Sequence, residues 1–221
     1  MSGSLQTAAK LDDNEILKRG VIRASVPSSL DCDFWATSLS RVTPLNATTE
    51  DGEYAFYRNI LDDPEFPFSE IFSEESEIGR AILSYFDLFS LEDIRLDDAF
   101  CVHYNTSQVD TTCAKHVDPS DITVNICLEK SPDCEGNQVV FYGSQRLHGV
   151  EDECSNDNVT DENSEVFLVE QEQGYATIHY GHHPHMTLGL TRGQRTNVVL
   201  TYCYKDERKS DVKSRTCYAI Q

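Results

Sequence analysis

The sequence predicts an α+β fold in which helices back a β-sandwich or barrel. Apolar residues recur at helical spacing in the first 94 residues, whereas the rest of the chain is divided into short β-rich segments. The 221 residues, 39% of them hydrophobic, are enough for one medium-sized domain with a substantial core. We therefore expect a single domain whose helices precede most of its strands along the chain.

The helical half begins with a polar segment, residues 1–20, that we expect to form a loose arm with some helix. Residues 20–27 are typical of a short strand ended by a proline, and residues 28–42 carry apolar side chains at helical spacing. The strongest helix is predicted over residues 73–89, where Ser73 is placed to cap the amino-terminal end. The predicted apolar face of this helix consists of Ile78, Ile82, Tyr85, Phe86 and Phe89.

The second half contains six short segments that are rich in β-branched and aromatic residues and are separated by turn residues. In the segment 121–128 every second residue from Ile122 to Leu128 is aliphatic, with small or polar residues between, which predicts a strand with one buried side. The acidic segment 151–164 has almost no apolar residues and is typical of a surface loop. The predicted strands are residues 99–104, 121–128, 138–142, 165–169, 175–180 and 196–204.

Charge and cysteine content limit the classes of function. The formal net charge of −20 argues against a nucleic-acid partner, because phosphate binding needs a basic surface. The same charge fits either simple solubility or a cationic substrate. No apolar run approaches the roughly 18 residues of a membrane span. The chain has eight cysteines but no CxxC pair, and its start lacks an apolar signal segment. These features favour reduced thiols in the cytoplasm, whereas a removed leader would favour secretion.

A histidine and a carboxylate stand two residues apart, at His116 and Asp118, just before the alternating strand. In an extended segment the side chains of residues i and i+2 point to the same side, so both could reach one metal ion. Because the chain has seven histidines, one such pair is expected by chance about as often as not. The pair alone therefore leaves both a surface pair and a metal site open.

A third ligand would have to come from a distant strand, and a histidine-rich segment lies before the last predicted strand. Arg195 opens that strand, and a guanidinium is a natural bidentate partner for a carboxylate. Two histidines and one carboxylate on one face of a metal leave other positions open, as in non-haem iron(II) oxygenases. The candidate histidines are His179, His182, His183 and His185.

Taken in order, the segments VHYN, KHVDPSDITVNICLE, EGNQVVF and HPHMTLGLTRGQRTNVVL resemble the 2-oxoglutarate and iron(II)-dependent dioxygenases, especially the prolyl 4-hydroxylase-like branch. The resemblance covers about residues 99–204. It implies a double-stranded β-helix (jelly roll) core backed by N-terminal helices. We accordingly expect an arm at residues 1–20 and one dioxygenase domain at 21–221, with helical support at 28–94 and the jelly-roll core at 95–207.

The resemblance implies that His116, Asp118 and His185 hold iron(II) and are the catalytic residues. His179 is then the chief rival for the third ligand, although its spacing from the arginine does not match. Solvated loop positions are expected for His182 and His183.

The resemblance also implies a site for 2-oxoglutarate as co-substrate. Arg195 would pair with its distal carboxylate, Tyr104 would reach the same group, and Asn197 stands where a hydroxyl residue often assists the arginine. Members of this branch often have two glycines where this chain has Gly136 and Asn137. The implied cofactors are iron(II) and 2-oxoglutarate, with ascorbate as a further candidate.

The implied activity is hydroxylation of a C–H bond, with succinate and carbon dioxide as co-products. A protein or peptide side chain, proline first, is the expected substrate, and a small molecule such as a free amino acid or metabolite is the alternative. A non-catalytic jelly-roll binding module is a second alternative. A zinc hydrolase with the same three ligands is chemically allowed, but it would leave Arg195 and Tyr104 without a role. No nucleic-acid or membrane partner is expected, and the sequence does not determine the oligomeric state.

Overall fold

A computed structural model describes residues 11–40, 56–150, 165–210 and 212 of the protein. Its helices are α1 (Asp13–Lys18), α2 (Cys32–Ser40), α3 (Phe68–Ile71) and α4 (Glu77–Tyr85), with a 3-10 helix at Leu91–Asp93. Its strands are β1 (Val21–Ser25), β2 (Phe56–Asn59), β3 (Ile94–Asn105), β4 (Cys113–His116), β5 (Ile122–Lys130), β6 (Glu135–Gly136), β7 (Val139–Tyr142), β8 (Val166–Val169), β9 (Tyr175–Tyr180), β10 (His185–Thr187), β11 (Leu190–Arg192) and β12 (Gln194–Tyr204).

The strands form two main antiparallel sheets. The large sheet has the order β1-β9-β5-β12-β3-β2, the small sheet has the order β4-β10-β7-β8, and β11 pairs with β6 in a short ribbon. The two sheets face each other, since the ring of Phe141 in β7 lies 5.0 Å from the ring of His179 in β9. The predicted jelly roll backed by helices is therefore confirmed.

The main core lies between the helices and the large sheet. Trp35 and Leu39 of α2 and Ile78 of α4 are buried in one cluster with the apolar side of the sheet. Burial of each such side chain contributes about 1.5–3 kcal/mol. The alternation predicted for β5 is confirmed, because its four aliphatic residues are fully buried in this cluster. They are Ile122, Val124, Ile126 and Leu128.

A second core fills the space between the two sheets at one end. The rings of Phe141 and Phe167 stack with centroids 5.6 Å apart, and Val21 of β1 completes the contact across the sheets. Helix α1 adds Ile16, which is 1% exposed, so part of the predicted arm packs against this core. Asp12 caps α1 by accepting a hydrogen bond from the backbone N–H of Glu15.

All six strands predicted for the second half are present, and so is the strand predicted at residues 20–27. The predicted helix at 28–42 is α2, which spans Cys32–Ser40 in the described residues. Strand β2 was not predicted and lies within the segment assigned to helical support. Strands β4, β6, β10 and β11 were also missed, because two to four residues are too few to show a period-2 pattern.

Helix α4 is shorter than predicted at both ends. It begins four residues late because Ser76 caps it, with its Oγ accepting from the N–H of Gly79 at 2.8 Å. The predicted cap at Ser73 was therefore wrong. The assignment of Phe89 to the buried face was also wrong, since this side chain is 93% exposed beyond the helix end.

Some predictions fall outside the described residues, namely the surface loop at 151–164 and the first ten residues of the arm. The cysteines that the structure describes are all free. Within the described segments, no helix combines the length and the apolar character that crossing a bilayer requires.

Candidate metal centre

Three side chains that are far apart in the sequence converge between the two sheets. The ligand atoms of His116, Asp118 and His185 all lie within 4.8 Å of one another. The Nε2 atom of His116 is 3.3 Å from Oδ1 of the aspartate, and that of His185 is 3.9 Å from Oδ2. No other group of three such residues occurs in the part of the chain that the structure describes.

Strand pairing brings the two histidines together. His116 ends β4 and His185 begins β10, and the two residues are direct partners across this antiparallel pair. Their imidazole rings lie 4.3 Å apart, centroid to centroid. Asp118 follows two residues later, and its backbone N–H donates to the carbonyl of Gly181 at 2.8 Å, which fixes the start of the turn into β5.

Backbone carbonyls determine which nitrogen of each imidazole faces the centre. The Nδ1 of His116 lies 2.7 Å from the carbonyl oxygen of Ala114, and the Nδ1 of His185 lies 2.9 Å from that of His183. Since a carbonyl oxygen only accepts, each Nδ1 carries a proton and donates it. Histidines that bind a metal commonly donate their other ring N–H to a carbonyl oxygen in this way, and the arrangement leaves both Nε2 atoms for a metal.

The carboxylate of Asp118 is 15% exposed and accepts a hydrogen bond from the hydroxyl of Thr123 at 2.5 Å. Burial alone would raise its pKa, but the nearby His185 and the hydrogen bond from His116 hold the pKa well below its usual range. Asp118 is therefore ionised at neutral pH, which is the form that binds a metal.

The two imidazoles respond differently to this carboxylate. Burial opposes protonation of both, and it lowers the pKa of His185. For His116 the hydrogen bonds with Asp118 and Cys113 outweigh burial and raise the pKa to about 11. The buried carboxylate of Asp118 therefore favours a positive charge beside it.

A buried arginine lies between the same two sheets. Arg195 in β12 is 3% exposed, and its Nη1 donates to the backbone carbonyl of Asn137 at 3.0 Å. Among the described residues, its Nε has no hydrogen-bond partner and no carboxylate pairs with it. Burial lowers the pKa of this guanidinium, so the uncompensated charge favours binding of an anion.

Tyr104 lies beside this arginine on the neighbouring strand β3. It is the cross-strand partner of Arg195, whose guanidinium carbon is 5.8 Å from the centroid of its ring. Burial and the neighbouring Cys113 raise the pKa of Tyr104 to about 12, so its hydroxyl keeps its proton. The Cys113 sulfur is in turn 3.6 Å from Nδ1 of His116, which makes the polar region continuous from the arginine to the centre.

Buried amides line the same space. The Nδ2 of Asn197 donates to the side-chain oxygens of Asn125 and Gln171, and the Nε2 of Gln171 donates to the hydroxyl of Thr177. Because both hydrogens of Asn197 are used, its remaining atom is Oδ1, an acceptor without a partner among the described residues.

Of the remaining histidines of the segment, two are buried and one is half-buried. His183 is fully buried and its Nε2 bonds to the carbonyl of Gly143 at 3.1 Å, so the predicted solvated position was wrong. His182 is half-buried and stacks on the ring of Tyr180. His179 is 2% exposed, and its Nδ1 bonds to the carbonyl of Tyr180 rather than joining the converging group.

Sequence reasoning missed Thr123 as the partner of Asp118, although its place on the polar side of β5 was the available signal. It also missed Cys113 beside His116, for which the sequence offers no signal.

A metal fits the donor set of His116, Asp118 and His185, since two imidazole nitrogens and one carboxylate oxygen form the facial arrangement of non-haem iron(II) sites.

The chain resembles a known oxygenase in sequence over less than half of its length. No protein-family profile matches the chain. It is similar to the 2-oxoglutarate and iron-dependent oxygenase domain-containing protein ICU11 of Arabidopsis thaliana, with 30% identity over 101 residues. The match spans 46% of this chain but only 23% of that protein. The resemblance to this class of oxygenases is thus confirmed for part of the chain.

Solved structures extend the likeness to nearly all of the chain. An oxidoreductase of the 2OG-Fe(II) oxygenase family from Burkholderia pseudomallei superposes with a TM-score of 0.57 and 13% identity, covering 86% of this chain and 88% of the other. The epimerase SnoN, solved in complex with Fe3+, alpha-ketoglutarate and nogalamycin RO, has a TM-score of 0.53 and 12% identity, covering 95% and 91%. At these identities the structures establish the fold.

Proposed function

We propose that the protein is an iron(II) and 2-oxoglutarate-dependent dioxygenase that hydroxylates a C–H bond. The observation that carries the proposal is the convergence of two imidazoles and a carboxylate within 4.8 Å, in a space that also holds a buried arginine without a carboxylate partner among the described residues. A facial metal site explains the three ligands, and a dicarboxylate co-substrate explains the arginine.

In this proposal His116, Asp118 and His185 hold the iron, each through the atom that faces the centre. The bound iron would supply activation of dioxygen and oxidation of the substrate, with succinate and carbon dioxide as co-products. The chain itself contributes an open coordination face and an interior from which water is largely excluded. Thr123 keeps the carboxylate of Asp118 oriented by its hydrogen bond.

Arg195 would bind the distal carboxylate of 2-oxoglutarate, because it is buried beside Tyr104 and carries unused donor capacity. Tyr104 keeps its proton at physiological pH and could donate to the same carboxylate. Asn197 has only an acceptor left, so its role would be to orient the guanidinium rather than to bind the carboxylate.

The test is succinate formation from 2-oxoglutarate under air with added iron(II). We expect turnover by the wild type and a loss of at least about a hundredfold in His116→Ala and Asp118→Ala, since each removes one metal ligand. His148→Ala and Asp62→Ala change the same residue types at exposed positions and should retain activity. Equal succinate formation in all five proteins would contradict the proposal.

For the substrate we propose a protein or peptide side chain, with proline first, as the sequence resemblance implies. The net charge of −20 supports a cationic peptide. The alternative is a small molecule, which the SnoN structure supports because the same fold was solved there with nogalamycin RO. Mass spectrometry after turnover would separate the two, by showing the gain of one oxygen atom on a proline-containing peptide or on a component of a metabolite extract.

A non-catalytic binding module remains the second candidate function, since the fold alone does not imply catalysis. It would be favoured if iron(II) and 2-oxoglutarate bind together but no succinate forms with any substrate. A zinc hydrolase is disfavoured because it leaves Arg195 unexplained, and inhibition by a 2-oxoglutarate mimic such as N-oxalylglycine would exclude it.

A further inference from the structure

Asn137 occupies a conformation that few residues adopt. Its φ is +67°, and the preceding Gly136 has a φ of +83°. Both values lie in the left-handed region, which asparagine tolerates better than other residues with a side chain. Glycine would satisfy the backbone here without strain, so the backbone alone does not explain why the chain has a side-chain amide at this position.

The amide of Asn137 is buried without a hydrogen-bond partner in the part of the chain that the structure describes. The residue is 2% exposed, and both Nδ2 and Oδ1 lack a hydrogen-bond partner among the described residues. A buried polar group without a partner costs free energy, and such groups in native proteins call for an explanation such as a bound ligand. Two further atoms without partners, Nε of Arg195 and Oδ1 of Asn197, belong to the proposed co-substrate site.

Asn137 is joined to that site through its backbone. Its carbonyl oxygen accepts the hydrogen bond from Nη1 of Arg195 at 3.0 Å, so the two residues are in direct contact. Asn137 lies two residues before β7, in which Val139 and Phe141 are buried between the sheets. The ring of Phe141 stacks 5.6 Å from that of His185, so the segment that follows Asn137 borders the proposed metal site.

We infer that the side-chain amide of Asn137 is a second, neutral contact for the co-substrate beside Arg195, with Nδ2 donating to a carboxylate oxygen. The inference rests on the proposed function and adds a specificity-determining residue to it. Arg195 supplies the charge. The amide, which is held at a fixed position, can donate a hydrogen bond to the carboxylate only if the dicarboxylate has the length that brings this group within reach. Asn137 thereby contributes to selection of the five-carbon co-substrate over shorter and longer 2-oxo diacids.

The test measures binding of 2-oxoglutarate by isothermal titration calorimetry to protein loaded with manganese(II) under anaerobic conditions. Asn137→Gly removes the amide and suits the positive φ, and we expect it to weaken binding about 10- to 100-fold, as for a lost hydrogen bond to a charged group. Asn137→Asp keeps the shape but adds a like charge, so it should weaken binding further. Gln138→Ala is the matched control, because that amide bonds to Glu170 instead and its loss should leave the affinity unchanged.

A thermal melt of the metal-free, ligand-free protein separates this role from a structural one. We expect Asn137→Gly to melt at or above the wild-type temperature, because it removes a buried amide without partners. Wild-type affinity in Asn137→Gly, or unchanged affinity in Asn137→Asp, would overturn the inference while leaving the proposed function intact. Absence of 2-oxoglutarate binding in the metal-loaded wild type would instead overturn the proposed function.

Discussion

The two sides of the large sheet differ in whether their buried polar atoms have hydrogen-bond partners. On the helix side of β5, Ile126 and Leu128 are fully buried among apolar neighbours. On the side facing the small sheet, the same strand presents Thr123 and Asn125, and neighbouring β12 adds Arg195. The first side is an apolar core, whereas the second holds buried donors and acceptors that lack a partner among the described residues. From this difference we expect ligand binding to depend on the side that faces the small sheet, and folding stability to depend on the helix side.

Replacement of Arg195 by methionine should have the largest effect on ligand binding. Loss of one member of a buried charge pair costs about 2–5 kcal/mol, so affinity for 2-oxoglutarate should fall at least about 30-fold. The ligand-free protein should be no less stable, because the arginine has no carboxylate partner among the described residues. Calorimetric titration and thermal melting together check both expectations. A large loss of stability in the ligand-free variant would show that Arg195 stabilises the fold itself.

Replacement of Ile126 by alanine should show the opposite pattern. Removal of this fully buried side chain from the helix-facing core should lower the free energy of unfolding by about 2–5 kcal/mol. The affinity of the folded protein for 2-oxoglutarate should stay within about twofold, because the helix side contributes no group to the site. Urea denaturation and calorimetry measure the two quantities, and a parallel loss of affinity would break the separation between the two sides.

Buried histidine His183 should make the metal-free protein sensitive to acid. Burial lowers the pKa of His183 to about 4, from an ordinary value of 6.5, so the unfolded chain binds a proton over a range where the folded protein does not. The contribution of His183 to the free energy of unfolding is complete above pH 6.5, and it falls by about 3 kcal/mol as the pH decreases to 4.

Denaturation of His183→Gln in the presence of a chelator tests this pH dependence. The variant keeps a donor for the carbonyl of Gly143 but cannot titrate, so its stability should decline less between pH 6.5 and 4 than that of the wild type. Identical slopes in the two proteins would show that His183 titrates normally.

The smallest of these effects is expected from Thr123→Val, which preserves shape and removes the hydroxyl that donates to Asp118. Loss of such an outer contact typically weakens metal binding about 10-fold or more. Thr177→Val removes a hydroxyl on the same side that bonds to Gln171 instead, and it should leave metal affinity unchanged. Competition with a fluorescent chelator gives both values, and equal affinity in the two variants would remove Thr123 from the metal site.

Much of the architecture was predictable because long strands repeat a simple pattern. Eight or more residues of alternation in β5 predict both its buried side and its polar side. The strands that carry His116 and His185 have only four and three residues, so no periodicity could reveal them. Their pairing, which places the two histidines side by side, depends on the closure of the whole jelly roll.

Local chemistry limited the rest of the prediction. Ser73 and Ser76 are equally good caps by residue type, and they are distinguished by the backbone N–H of Gly79, which donates to Oγ of Ser76. The burial of His183 likewise depends on Phe141 and Phe167, which are remote in sequence. The unpaired amide of Asn137 is visible only once the neighbouring atoms are placed.

The most direct measurement is a crystal structure obtained anaerobically with iron(II) and 2-oxoglutarate. The account predicts one iron bonded to Nε2 of His116, Nε2 of His185 and the carboxylate of Asp118, with the far carboxylate of the co-substrate paired with Arg195. Iron bound by any other set of residues, or an arginine that makes no contact with the co-substrate, would contradict it.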